Sequence, residues 1–126
     1  MSDHPTQLAV RSKVWLVDTQ GNVVFGLGRL KMLEAIREHG SISAAAKALK
    51  MSNRRIWGRI KATEERLGRS LLVREVGGAA GGGSHLTDYA LSLIDYFQFL
   101  NHTVEKNADQ LFEQTHAEKL PKGIVV

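Results

Sequence analysis

The run Met51-Ser52-Asn53-Arg54-Arg55-Ile56-Trp57, with Arg59 and Lys61 after it, gathers the side chains best suited to non-covalent recognition. Arginine carries a rigid fork of N–H donors that matches phosphate or the edge of guanine; asparagine sets a donor beside an acceptor. Lys50 to Lys61 contains no acid, and Glu64 and Glu65 appear only afterwards. Spaced at about 100° per residue, Ile56, Ile60, Thr63 and Leu67 share one helical face. Arg54, Gly58 and Lys61 lie opposite, with Arg55 and Arg59 on one flank and Trp57 on the other. A helix with an apolar back and an acid-free cationic first half suits a polyanionic groove. Solubility alone does not require that polarity.

A second feature is Gly77-Gly78-Ala79-Ala80-Gly81-Gly82-Gly83. A nucleotide-phosphate loop needs a Lys-Ser/Thr pair after its last glycine, and Ser84-His85 stands there instead, which excludes that reading. Two compatible readings stay open: a mobile hairpin tip, or a backbone that approaches a sugar-phosphate edge and donates N–H groups. The histidines His4, His39, His85, His102 and His116 have no metal-ligand spacing. Asp88 lies near His85 without a nucleophile, the serines fall at capping positions, and there is no cysteine. No catalytic residue, no metal site and no enzymatic activity are expected.

The net charge of +4 hides an uneven distribution. Residues Arg29 to Arg74 hold twelve basic and four acidic side chains, a local +8, so the other eighty residues carry −4. Such a block marks a polyanion-binding face, or a merely solvated helix surface; charge alone leaves both open. The 126 residues, 43% hydrophobic and 24% charged, fit one folded domain plus an arm or helix rather than a disordered or membrane chain. The start, MSDHPTQ, lacks the pattern of a signal peptide, so a cytoplasmic protein without a membrane partner is expected.

The elements that must position these residues follow from pattern. Residues 1–12 read as a flexible arm. Lys13–Asp18 and Val23–Gly26 read as a short hairpin joined through Gly21, apolar on both faces and therefore in need of cover from its own domain or a second subunit. Arg29–His39 is an amphipathic helix stopped by Gly40. Ser41 or Ser43 caps a short alanine-rich helix ending at Leu49, and Ser52 caps a third from Asn53 to Leu67 before Gly68. Helix, tight turn and basic helix form the helix-turn-helix pattern. Leu71–Glu75 and Ser84–Leu86 then read as the strands of a wing, and Thr87 caps the next helix.

From Asp88 to about His116 a long helix carries Ala90, Leu93, Phe97, Leu100, Val104 and Leu111 at alternating three- and four-residue steps, interrupted by Asn107. That is a heptad seam suited to a second helix, so a homodimer is expected. The expected fold is mainly α: a winged helix-turn-helix with hairpin over 13–87, a dimerisation helix over 88–116 and a tail over 117–126.

Gly40-Ser41-Ile42-Ser43-Ala44-Ala45-Ala46 and the run from Met51 to Trp57 resemble the ModE-type molybdate-responsive transcription regulators, whose N-terminal winged helix-turn-helix is akin to that of LysR-type regulators. The glycine-rich wing with Leu86-Thr87 after it, the hairpin from Trp15 to Phe25 and Gly28-Arg29-Leu30 are similar too, so the resemblance spans about residues 13–112. It implies that Ser52 caps the recognition helix and touches a phosphate, while Asn53, Arg54 and Arg55 enter the major groove. Arg59 and Lys61 are implied as phosphate contacts, and Trp57 as a backbone contact or as packing on the wing. Ser41, Ser43, Gly78, Gly81, Gly82, Gly83 and Ser84 would touch the DNA backbone.

The family's paired molybdate-binding modules have no counterpart before Val126. The resemblance therefore implies a stand-alone DNA-binding form with no cofactor of its own; molybdate or tungstate enters only through the family, with no residue assigned. The implied role is a homodimeric repressor at a palindromic operator of molybdate-transport or molybdoenzyme genes, with a separate molybdate-sensing partner. The alternatives are a LysR-like or architectural DNA-binding protein unrelated to molybdenum, and a protein-interaction adaptor with a basic face.

Overall fold

The computed structural model describes residues 6–74, 83–114 and 119–125. They divide into two compact units, one of Trp15–Gln98 and one that joins the chain's two ends, Met1–Val14 with Phe99–Val126.

The first unit opens with the antiparallel hairpin β2 (Trp15–Val17) and β3 (Val23–Gly26), preceded in the chain by β1 (Thr6–Gln7) of the other unit. Gly21 takes φ +85° in the turn, as expected of a residue without a Cβ. The carboxylate of Asp18 accepts from the backbone N–H of Asn22 and of Gln20, each at 2.9 Å. The bond from the Asn22 backbone is the main reason the Asp18 pKa lies below its usual value. Val24 and Phe25 are buried, whereas Trp15 and Val17 are about half exposed, so the outer face of the hairpin is only partly covered.

Three helices follow: α1 (Leu27–His39), α2 (Ile42–Leu49) and α3 (Asn53–Leu67). Helix α1 starts two residues before the expected Arg29 and ends in Gly40 at φ 81°. Ser41, not Ser43, caps α2, its Oγ accepting from the Ala44 N–H at 3.0 Å. Ala45 and Ala46 are fully buried, which lets α2 approach its neighbours closely. Strands β4 (Leu72–Arg74) and β5 (Ser84–Leu86) pair antiparallel, Val73 opposite His85. Thr87 then caps α4 (Asp88–Glu113): its Oγ1 accepts from the Ala90 N–H at 3.1 Å and donates to the Ser70 carbonyl at 2.8 Å.

The core gathers Phe25, Leu33, Ile36, Ile56, Ile60, Leu71, Ile94 and Phe97, with Phe25 and Phe97 in edge-to-face contact at 5.2 Å. The expected seam of α4 is corrected here. Ala90 and Phe97 are fully buried in the unit's own core, as is Ile94, which was not among the seam residues. Residues 90, 94 and 97 follow an i, i+4, i+7 pattern that serves an intramolecular face as well as a partner. Leu93, Leu100 and Val104 are half-buried and Leu111 is 72% exposed. The helix's expected end at His116 lies outside the described residues.

In the second unit, Thr6–Gln7 pairs in parallel with β6 (Ile124–Val125). The bonds run from the Thr6 N–H to the Gly123 carbonyl at 2.8 Å and from the Leu8 N–H to the Val125 carbonyl at 3.0 Å. The segments expected as arm and tail thus carry one strand each.

Candidate nucleic-acid interface

Ile56, Ile60 and Thr63 are buried and fix the orientation of α3; Leu67, expected beside them, is half-buried. Thr63 Oγ1 donates to the Val24 carbonyl at 2.6 Å, which satisfies its hydroxyl and locks the back of α3 to the hairpin. With that face fixed, Asn53, Arg54, Arg55, Gly58, Arg59 and Lys61 are all exposed, as the helical spacing requires. Ser52 caps α3, its Oγ accepting from the Arg55 N–H at 3.1 Å.

The turn between α2 and α3 is braced by two of the expected site residues. Asn53 Nδ2 donates to Ser43 Oγ at 2.9 Å. One amide proton is used, which leaves the second N–H and the carbonyl oxygen for an adenine edge. Lys50 closes α2 in the left-handed region at φ 55°.

Trp57 is half-buried and holds the wing side of α3. Arg74 of β4 lies 4.3 Å from its ring centroid and Lys61 Nζ lies 4.9 Å away, both within cation–π range. Of the two implied roles, packing on the wing is the one the geometry displays. Glu64 completes the connection: its Oε1 is 3.4 Å from Lys61 Nζ, and its Oε2 accepts from the backbone N–H of Leu71 at 2.7 Å and of Leu72 at 3.3 Å. In the sequence Glu64 stands out only as an acid that follows the cationic run. Its signal was an acid one turn past Lys61 and seven residues before the first wing strand.

The opposite flank differs. Arg55 and Arg59 stand beside α1, and with Lys31 they line a groove. Burial first, then the charges of Arg59 and Arg66, lower the pKa of Arg29.

One expected backbone contact changes. Ser84 is buried and its N–H donates to the Gly40 carbonyl at 3.1 Å, because the return strand of the wing docks on the end of α1. Gly83 sits so close that an added Cβ would lie 3.1 Å from that carbonyl oxygen. Ser84 thereby holds the wing on the end of α1, with Gly83 packed beside it. Gly78, Gly81 and Gly82 lie outside the described residues. Ser41 is half-buried by its cap, while Ser43 is exposed. Among the described residues, no group of three or more His, Asp or Glu side chains could hold a metal, and no helix is long and apolar enough to cross a membrane.

This arrangement coincides with a known sequence pattern. The bacterial regulatory helix-turn-helix proteins of the lysR family match residues 27–91, from the start of α1 into α4. The chain belongs to that family. It is a family of regulators, not of enzymes. Among curated relatives, the chain is 33% identical over 98 residues to the molybdenum transport protein ModE of Azotobacter vinelandii, covering 78% of this chain and 36% of that protein. It is 39% identical over 77 residues to the transcriptional regulator ModE of Haemophilus influenzae, covering 61% of this chain and 30% of that one. This LysR-family chain therefore spans about a third of the length of these two relatives. Among solved structures, a CbnR_DBD–DNA complex superposes with a TM-score of 0.54 at 26% identity, over 69% of this chain and 94% of that one.

Proposed function

We propose that this chain binds double-stranded DNA as a transcription regulator, with α3 reading bases in the major groove and the β4–β5 wing lying beside it. The observation that carries this reading is α3 itself: capped at Ser52, anchored through Ile56, Ile60 and Thr63, and presenting Asn53, Arg54, Arg55, Arg59 and Lys61 outward with no acid among them. Arg54 lies opposite the buried face and suits bidentate contact with guanine; Lys61 suits phosphate. The superposition on a structure described as a DNA complex supports the same use of the fold.

The protein acts as a homodimer at a roughly palindromic operator, its recognition helices about 34 Å apart. With Ala90 and Phe97 committed to the core, pairing falls to the outer part of α4, where Leu100 and Val104 are half-buried and Phe99 is 68% exposed. The ModE names of the relatives support regulation, as a repressor, of molybdate-transport or molybdoenzyme genes. Selection of bound fragments from the host genome tests the reading: recovery of a recurring palindrome upstream of such genes upholds it. Recovery of unrelated sites would leave DNA binding and remove the molybdenum assignment. Duplex binding that fails to weaken with salt, or no binding at low salt, would favour an adaptor with a basic face. Molybdate titration followed by Trp15 and Trp57 fluorescence, with and without operator, tests whether this chain itself senses the oxyanion.

A further inference from the structure

Among the candidate base readers of α3, Asn53 depends most on how its side chain is oriented. The guanidinium groups of Arg54 and Arg55 carry donors only, whereas an amide turned over exchanges its donor for its acceptor. One of those two orientations matches the acceptor and donor that adenine sets side by side in the major groove. In the structure Asn53 Nδ2 donates to Ser43 Oγ at 2.9 Å, which turns Oδ1 away from Ser43. The turn that brings together these residues, ten apart in the chain, is itself fixed. Lys50 at φ 55° and the bond from the Met51 N–H to the Ala46 carbonyl at 2.9 Å close α2. The Ser52 cap then starts α3 at Asn53. Ser41 supplies the cap of α2, so the Ser43 hydroxyl in the same turn is not used for it. Both partners are exposed, where a neutral hydrogen bond adds little to folding. Its effect falls on where the amide points.

We propose that Ser43 is a positioning residue for base recognition: it holds the Asn53 amide in place for an adenine edge and so narrows the sequence that α3 accepts. The inference rests on the DNA-binding reading, and it gives Ser43 a side chain to orient in place of the backbone contact expected of it. A free asparagine loses its rotamer freedom on the duplex; one held beforehand has already lost it. The gain therefore appears only where Asn53 meets its base. A hydroxyl placed on a phosphate would instead strengthen binding to every duplex.

The full chain tests this as wild type, Ser43→Ala, Ser43→Thr, Asn53→Ala and the double variant of Ser43→Ala with Asn53→Ala. In the free protein, NMR relaxation of the Asn53 side-chain amide should show it ordered in wild type and Ser43→Thr, and mobile in Ser43→Ala. On DNA, affinity is compared for the tightest duplex from a random-sequence selection, for its single-base-pair substitutions and for random sequence. Asn53→Ala should lose about five- to a hundredfold of discrimination at one A·T pair. Ser43→Ala should lose about two- to tenfold at that same pair, and Ser43→Thr should keep it. The double variant should discriminate no worse than Asn53→Ala alone. An amide equally ordered with and without the hydroxyl would overturn the inference. So would a Ser43→Ala loss that is equal on selected and random duplexes, or one that adds to the loss from Asn53→Ala. Wild type that binds no duplex at low salt would sink the DNA reading and this inference with it. Wild type that prefers one duplex, with Ser43→Ala discriminating just as well, would sink the inference alone.

Discussion

The two flanks of α3 carry cations in very different company. On the wing side, Lys61 and Arg74 lie against Trp57, and Lys61 reaches Glu64, whose other oxygen holds the first amides of the wing. On the α1 side, Arg55 and Arg59 share a groove with Lys31 and find no acid among the described residues. One flank is organised by the protein's own aromatic ring and carboxylate, and so sets where the wing sits. The other is left charged, and so has free energy to gain from an anion. A net charge of +4 says nothing of that division; the partners of each cation do.

Three experiments probe it, in falling order of effect. Phe97→Ala removes the ring that packs on Phe25 beneath both flanks and should cost about 3–5 kcal/mol in chemical denaturation. It sets the scale for losing both sides together; a cost near zero would mean that α4 does not hold this core. Glu64→Ala strips the acceptor from two wing amides and should cost about 1–3 kcal/mol. Its mark is regional: faster hydrogen exchange at Leu71 and Leu72, with α1 unchanged. Exchange that rises equally on both sides of α3 would erase the distinction. A double-mutant cycle on Trp57→Ala and Arg74→Ala should give a coupling of about 0.5–1 kcal/mol. Strict additivity would make the Arg74 stack incidental.

Much of this was legible in residue types. Ser52, Gly68 and the acid-free run between Lys50 and Lys61 placed α3 at its observed bounds, because caps and periodicity are local signals. The core face through Ile56, Ile60 and Thr63 followed from the same spacing. What escaped depends on distant partners. The Thr6–Gln7 and Ile124–Val125 strands are two residues each, too short for any pattern, and their pairing joins the chain's ends. Ala90 and Phe97 looked like a seam for a second helix because heptad and helical periods barely diverge over two turns. Ser84 looked like a phosphate contact until the wing's return strand was found on the Gly40 carbonyl. The role of Glu64 was hidden for the same reason: its acceptors serve amides that only the fold brings near.

Arg54, exposed between the two flanks, carries the central claim that α3 reads bases. The direct test measures wild type, Arg54→Ala and Lys61→Ala on an operator duplex, on its single-base-pair substitutions and on random sequence, across a range of salt. Arg54→Ala should lose about 1–3 kcal/mol of discrimination at one base pair. Lys61→Ala should weaken every duplex alike and flatten the salt slope by about one unit. Equal losses on specific and random duplexes for both variants would contradict base readout by Arg54.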